Sequence, residues 1–585
     1  MANTPEFSAD SREACGYLVT KYGFRNLEQF KACCAFVPRT MPSGKRMQAI
    51  AEMMSLSTAQ TQSLAHDFRR LAPSFFEDPP YTAPVEVLCP PVLHCQNNCR
   101  WKIGRHRGML RVLSWHRKPT KATIFSGAGR TKPALVVTLR CRGCNSRYSY
   151  GSWTNHRTST YSFYSTGQPY LDVSQEVFVC RQFALEIVNQ ILFNHATYDG
   201  IAETMRQTYN WDSLFSRKTV AATFMRHEIE CDIREQDSQL FNFNEKKSIL
   251  QYLDKRMDAI FSTVYRHECT PACIARQCGT MIIMDGIWKA GFRHCIAEVL
   301  NIVETIPLLN FPNVCTNQPD GTCLHCVKHK HLESAIKDQR EHMTIHMAGV
   351  SDMLKSKAMS DINALLNGEM DNASPETTCR KFDPQVSCKK NKGQNQRGHL
   401  YSRGYLFLVG PTGHVYSFAP IYRAESLGQV FLFLISGLYQ LLQDVPPEDW
   451  NKIFVCYDNI CQLNRLKAAC ELLPLSKPFD EMWLRVSKII DGLHIQNHKD
   501  PRCSKDYHPD NFYSTYPEAE KRNTMAAEQT FAWLAKFRKQ LNAMNKAKQI
   551  FFLYRMILRR NVYLAECVTE AKQPVGGTMR TFTDK

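Results

Sequence analysis

Two apolar runs in this chain end in the same way. Residues 281–291, MIIMDGIWKAG, carry a stretch of buried-strand character straight into Asp285 and a glycine, and residues 452–463, KIFVCYDNICQL, do the same into Asp458. Short continuous apolar runs bounded by turn residues read as strands buried on both faces, so both acids are expected at strand ends. Two carboxylates at the ends of neighbouring strands would lie side by side at one sheet edge. That arrangement suits divalent ions: carboxylate oxygens bind Mg²⁺ or Mn²⁺, and two ions about 4 Å apart can activate a water or a 3′-hydroxyl and stabilise the leaving oxygen of a phosphodiester. Either aspartate alone reads equally well as a turn residue or a helix cap. A third carboxylate, Glu528, stands near the start of a basic, helical-looking stretch, AAEQTFAWLAKFRK; by itself it reads as a solvated or dipole-pairing glutamate.

The 585 residues exceed what a single core holds and predict three or four domains. Lys and Arg outnumber Asp and Glu by 73 to 55, a net charge of +18. The surplus points to a polyanionic partner, most simply nucleic acid, or else serves solubility. The opening MANTPEFSAD has no basic segment leading into an apolar core, and the longest apolar run, VFLFLISGLYQLL, is shorter than the roughly 20 residues of a membrane span. No membrane partner and an intracellular location are therefore expected. There the 24 cysteines read as zinc ligands or buried thiols rather than as disulfides.

Periodicity and composition divide the chain into a small helical domain (1–80), a β-rich cysteine-cluster domain of zinc-ribbon character (85–155), a helical domain (170–262) and an α/β domain (265–570). The last carries a cysteine-containing insertion at about 310–400, within which 367–398 is disorder-prone. In the helical domain, Arg217 and Lys218 open a helix after a short turn, as in a helix-turn-helix; a plain supporting or dimerising bundle fits the same pattern, so a homo-oligomer is a further expectation.

Cys95 and Cys99 in CQNNC and Cys141 and Cys144 in CRGC have spacings that let both sulfurs of each pair reach one tetrahedral ion. Cys89 or His94 could replace one of the four, and buried free thiols are the alternative. Cys269, Cys273 and Cys278 form a second cluster, and Cys315, Cys323, Cys326 and His329 a third, of which Cys315, Cys326 and His329 are the candidate ligands; Cys379 and Cys388 lie farther on. In GLHIQNHKDPRC, His494, His498 and Cys503 join Cys461 as a candidate zinc set beside the second aspartate, with contact to DNA or a structural role as the other readings.

The order of an aspartate on a first strand, YDNIC, GLHIQNHKDPRC, and a glutamate opening AAEQTFAWLAKFRK with LYRMILRRN after it resembles the transposases of the Kyakuja–Dileera–Zisupton (KDZ) group. It is similar also to vertebrate HMG-box proteins that carry a domain derived from such an element. The resemblance spans roughly residues 265–565. It implies an α/β, RNase H-like DDE core with a large insertion, preceded by helical and zinc-binding domains. Carried onto this chain, it makes Asp285, Asp458 and Glu528 the metal-binding triad, with Mg²⁺ or Mn²⁺ for catalysis and Zn²⁺ for the cysteine clusters. The partner it implies is DNA, as transposon ends and target, and the compartment is the nucleus. Two readings follow from it: an active transposase that hydrolyses phosphodiesters and transfers strands, or a domesticated, catalytically inactive zinc-containing protein that binds DNA or chromatin. Cysteine density by itself also fits a zinc-scaffolded adaptor, which would have neither clustered acids nor a basic groove.

Overall fold

The structure of this chain is a computed structural model that describes residues 43–71, 86–297, 314–332 and 401–575, with short interruptions, and a few positions between 18 and 33. Most of the expected insertion, including the disorder-prone stretch, Cys379 and Cys388, lies outside the described residues. Among the described residues, no helix is long and apolar enough to cross a membrane. The protein is mixed α/β and divides into two units, Met1–Tyr252 and Leu253–Lys585.

The first unit begins with helices α1 (Ser43–Met54) and α2 (Thr58–Leu71). Eleven strands follow: β1 (Glu86–Leu88), β2 (Ser114–Trp115), β3 (Thr120–Phe125), β4 (Thr131–Val136), β5 (Leu139–Arg140), β6 (Arg147–Tyr148), β7 (Ser152–Asn155), β8 (Thr160–Phe163), β9 (Tyr170–Ser174), β10 (Val177–Cys180) and β11 (Leu240–Asn242). They form one sheet in the order β1-β4-β3-β10-β9 and another in the order β11-β8-β7-β6-β5-β2. Strands therefore run on past residue 155, because β10 pairs in parallel with β3 through Val177↔Thr123 to Val179↔Phe125.

Helices α3 (Arg181–Asn194), α4 (Tyr198–Tyr209) and α5 (Arg217–Glu235) come after β10. Ser216 and Thr219 cap α5 reciprocally, which fixes its start one residue before Arg217. The middle of α5 is buried, and the helix exposes Arg217 and Lys218 at its start and Arg234 and Glu235 at its end. A helix covered in this way along its middle is a packed bundle helix whose open start carries Arg217 and Lys218.

In the second unit the sheet order is β14-β13-β12-β15-β16, formed by β12 (Met281–Trp288), β13 (Gly404–Val409), β14 (Val415–Ile421), β15 (Phe454–Cys456) and β16 (Ser487–Ile489). Strand β12 is central, antiparallel to β13 and parallel to β15, and β16 continues in parallel beside β15. Central strands covered on both faces have no solvent side, which is why MIIM and FVC read as unbroken apolar runs.

Helix α7 (Leu427–Leu441) packs on β13 and β14. It starts where the Ser426 side chain accepts the Gln429 N–H and buries Val430, Phe431, Leu434 and Leu438. It approaches so closely that a side-chain carbon at Gly437 would collide with Leu408 of β13. Helix α8 (Ala526–Leu534) packs on β12 and β13. The 25-residue α9 (Lys546–Glu570) is tied to the sheet by Asn561, whose side chain bonds both the N–H and the carbonyl of Val415, at 3.0 and 2.9 Å. The boundary between the two units falls within α6 (Ser248–Ser262).

Candidate functional site

Parallel neighbours bring their C-terminal ends to the same sheet edge, and the second unit uses this three times. Asp458 follows β15 by two residues, and Asp491 follows β16 by two residues. Asp285 lies within β12, not at its end as expected. Pairing with β15 stops at Ile283↔Cys456, while pairing with β13 carries β12 on to Trp288↔Gly404. On the β15 side Asp285 has thus passed the last backbone partner, and its carboxylate lines one small cleft with Asp458, Asp491, His494, Thr524 and Glu528. Glu528 enters as the third residue of α8, on the exposed side of the helix.

A further acid stands behind this group. Glu425, immediately before the Ser426 cap of α7, accepts the Tyr457 hydroxyl at 3.0 Å. A Cβ placed on Gly286 would come within 2.7 Å of its Oε2, so glycine lets the Glu425 carboxylate sit close beside Asp285.

The charges in the cleft are poorly compensated. Asp285 is raised well above the ordinary carboxylate range by burial, by Asp458 and by Glu528, against one N–H bond from Gly286 at 2.7 Å. Asp458 is pushed up to about 7 by burial and then by Glu425, and its Oδ1 is buried without a hydrogen-bond partner. Asp491 accepts the N–H groups of Leu493 (2.9 Å) and His494 (3.0 Å), and its other oxygen lies 2.6 Å from His494 Nδ1. That contact raises His494 to about 9 and leaves Nε2 as the ring nitrogen available to the cleft. Hard oxygen donors, surplus negative charge and a buried carboxylate oxygen without a partner fit a divalent cation such as Mg²⁺ or Mn²⁺.

The cysteines group separately. In the first unit the donor atoms of Cys95, Cys99, Cys141 and Cys144 lie within 4.8 Å of one another. Asn98 (φ 52°) and Asn145 (φ 61°) take left-handed conformations at the two knuckles, a geometry that asparagine tolerates well. Hydrogen-bond donors converge on the sulfurs: the Tyr148 hydroxyl on Cys95 at 3.3 Å, Asn97 Nδ2 on Cys144 at 3.4 Å and the Gly143 N–H on Cys141 at 3.3 Å. Against the burial that would raise it, Cys144 is drawn down to about 6 by Ser146 and Asn97. Four soft donors held in this way suit a tetrahedral zinc ion, and neither Cys89 nor His94 belongs to the group.

In the second unit Cys315, Cys326 and His329 meet Cys295, which sequence reasoning missed. Nδ1 of His329 is 3.5 Å from both Cys295 Sγ and Cys326 Sγ. Cys295 stands alone in FRHCIAE, with no spacing signal to link it to ligands 20 or more positions later. Cys461, His498 and Cys503 form a further group, with Cys461 Sγ 3.7 Å from His498 Nδ1. His494, expected in that set, lies instead in the acid cleft, because Asp491 holds its ring.

Cys278 groups with His267 and His414, while Cys269 Sγ is 3.7 Å from His267 Nε2. His227, Glu228 and Cys231 in α5 make one more group, in which His227 and Cys231 stand at the i, i+4 spacing of one helix face. Asp491 carried only part of the apolar-run-then-acid signal of the two other strands, because in VSKIID Ile489 and Ile490 run into the acid but Ser487 and Lys488 interrupt the apolar run.

Residues 83–209 match the family described as CxC5 like cysteine cluster associated with KDZ transposases. The match contains Cys95, Cys99, Cys141 and Cys144 and extends through α3 and α4. No curated protein and no solved structure matches the chain. A cysteine-cluster domain of a transposase-associated kind therefore precedes the α/β unit, and its sulfurs could hold zinc.

Proposed function

We propose that this chain is a DDE-type DNA transposase, which cleaves phosphodiesters and transfers strands with divalent metal. The observation that carries the reading is the convergence of Asp285, Asp458 and Glu528, from two strands and a late helix, on one cleft where an oxygen of Asp458 is buried without a partner. An RNase H-like core is supported by the strand order 3-2-1-4-5, with the first three strands antiparallel and the last two parallel to the central one. The cysteine cluster of the first unit and the net charge of +18 point the same way, toward a nuclear protein whose partner is DNA.

Asp285, Asp458 and Glu528 would hold the ions, and Glu425 adds negative charge behind them. Bound Mg²⁺ supplies activation of a water or a 3′-hydroxyl and stabilisation of the leaving oxygen. Asp491 orients His494 and keeps it protonated, so that a cationic N–H is available to a phosphate oxygen at the cleft. The residues contribute positioning and charge placed before the substrate arrives.

The test compares wild type with Asp458→Asn, which keeps shape and removes charge. Both are assayed for Mg²⁺-dependent nicking of duplexes carrying the repeats that flank the coding region, and for retention of those duplexes in a gel. A loss of nicking of at least about 100-fold with binding retained is expected. If neither protein nicks while both bind, a domesticated binder is the better reading. If neither binds DNA, both readings fall.

A further inference from the structure

At the start of β12 the chain makes a tight reversal. Thr270 caps the helical turn Pro271–Ala275 by accepting the Cys273 N–H at 3.3 Å. Gln277 (φ 59°) and Gly279 (φ 83°) then turn the backbone, and the Cys278 N–H donates to the Cys273 carbonyl at 3.1 Å. Cys269 Sγ lies 3.7 Å from His267 Nε2. His267 presents Nε2 to Cys278 Sγ at 3.4 Å.

The turn between β13 and β14 adds His414, far away in sequence. Its ring stacks on His267 with centroids 3.7 Å apart and planes 9° from parallel. Thr412 Oγ1 occupies its Nδ1 at 2.7 Å, and Nε2, on a fully buried side chain, has no hydrogen-bond partner. Two imidazoles beside these thiols, each ring with a buried nitrogen that has no hydrogen-bond partner, are not explained by packing alone. The donor atoms of His267, Cys278 and His414 lie within 4.8 Å of one another, against an edge of roughly 3.8 Å for a tetrahedron of thiolates around zinc.

We infer that His267, Cys278 and His414 bind one zinc ion together with a thiol of the same turn, Cys269 or Cys273, in a second-unit site that clamps the start of β12 to the β13–β14 turn. Two sulfurs and two imidazole nitrogens are a donor set that selects zinc over the hard cations suited to the acid cleft. The clamp lies three residues before Met281, and so fixes the strand that carries Asp285. His414 could not be anticipated from spacing, since it belongs to a different strand connection.

The site is tested on the full chain by counting zinc per chain by mass spectrometry, because the other clusters bind their own ions and only the difference matters. Cys278→Ser and His414→Ala should each lose one zinc equivalent. His414→Cys, which replaces a nitrogen with a sulfur, should keep the equivalent and, after cobalt substitution, strengthen the sulfur-to-cobalt charge-transfer band. A merely structural histidine would give no such spectral change. An unchanged zinc count in Cys278→Ser or His414→Ala, or an unchanged cobalt spectrum in His414→Cys, overturns the assignment. These readouts do not involve DNA, so they stand or fall apart from the transposase reading.

Discussion

The Cys95–Cys144 cluster and the acid cleft both crowd together groups that would repel one another once ionised, yet they treat the crowding in opposite ways. In the cluster, donors from Tyr148, Asn97 and Gly143 reach the sulfurs, and four ligands from two knuckles complete a set with no room for a substrate. In the cleft, Asp285, Asp458, Asp491 and Glu528 share a few donors, one oxygen of Asp458 has none, and Glu528 is exposed. A closed set suits an ion that holds a fold together, while an open set suits one that must exchange ligands with a substrate. The second unit repeats the contrast internally, since the Cys295 group and the acid cleft belong to the same unit.

The sharpest way to break this comparison is to remove one ligand from each site. Cys141→Ser should destabilise the first unit by about 4 kcal/mol or more, because loss of a structural metal is among the largest single-residue effects. Chemical denaturation of the two proteins, with and without a zinc chelator, checks this; the chelator should affect wild type and leave the variant nearly unchanged. Equal stabilities would make the cluster a set of ordinary buried thiols.

Asp285→Asn should act in the opposite direction. Burial, Asp458 and Glu528 oppose the charge at this position, so removing it should raise the melting temperature of the metal-free protein by about 2 °C or more. The Mg²⁺-induced rise in melting temperature should disappear at the same time. A variant that is less stable without metal would show that Asp285 holds structure, as the cysteines do.

The smallest effect sharpens the comparison through pH. Asp458 has a folded value raised to about 7, above the unfolded carboxylate value near 4. Its contribution to stability is therefore fully present below about pH 4 and is lost as pH rises through about 7. A cation must displace that proton, so apparent Mg²⁺ affinity should climb up to about tenfold per pH unit as far as pH 7 and level off above it. Melting curves with and without Mg²⁺ between pH 5.5 and 8.5 measure this. Mg²⁺ shifts of the same size at every pH would remove Asp458 from the ion's shell.

Much of the site was legible locally. Apolar runs broken by an acid mark where a buried strand leaves the sheet, and cysteine pairs at short spacing mark knuckles, because each signal depends on residues a few positions apart. The positions of Asp285, Asp458 and the four first-unit cysteines come from such signals, while Glu528 was singled out by its place near the start of a basic helical stretch and by the family resemblance. Asp491 carried only part of one and was passed over, since its strand, SKI, is short and half polar.

What the local pattern could not decide was partnership across the sheet. That β12 runs on past Asp285 depends on β13, which arrives more than a hundred residues later and supplies hydrogen bonds where β15 has stopped. The capture of His494 by Asp491 instead of by Cys461 and Cys503, the recruitment of Cys295 to Cys315, and the seating of Glu425 against Gly286 are of the same kind. Each depends on where a side chain lies in space after distant strands have paired. The sequence by itself determined which residues were to be buried, and which acids and thiols stood at the ends of buried runs. Only the tertiary structure decided which of them would meet, because strand pairing joins segments whose separation along the chain carries no information about their separation in the fold.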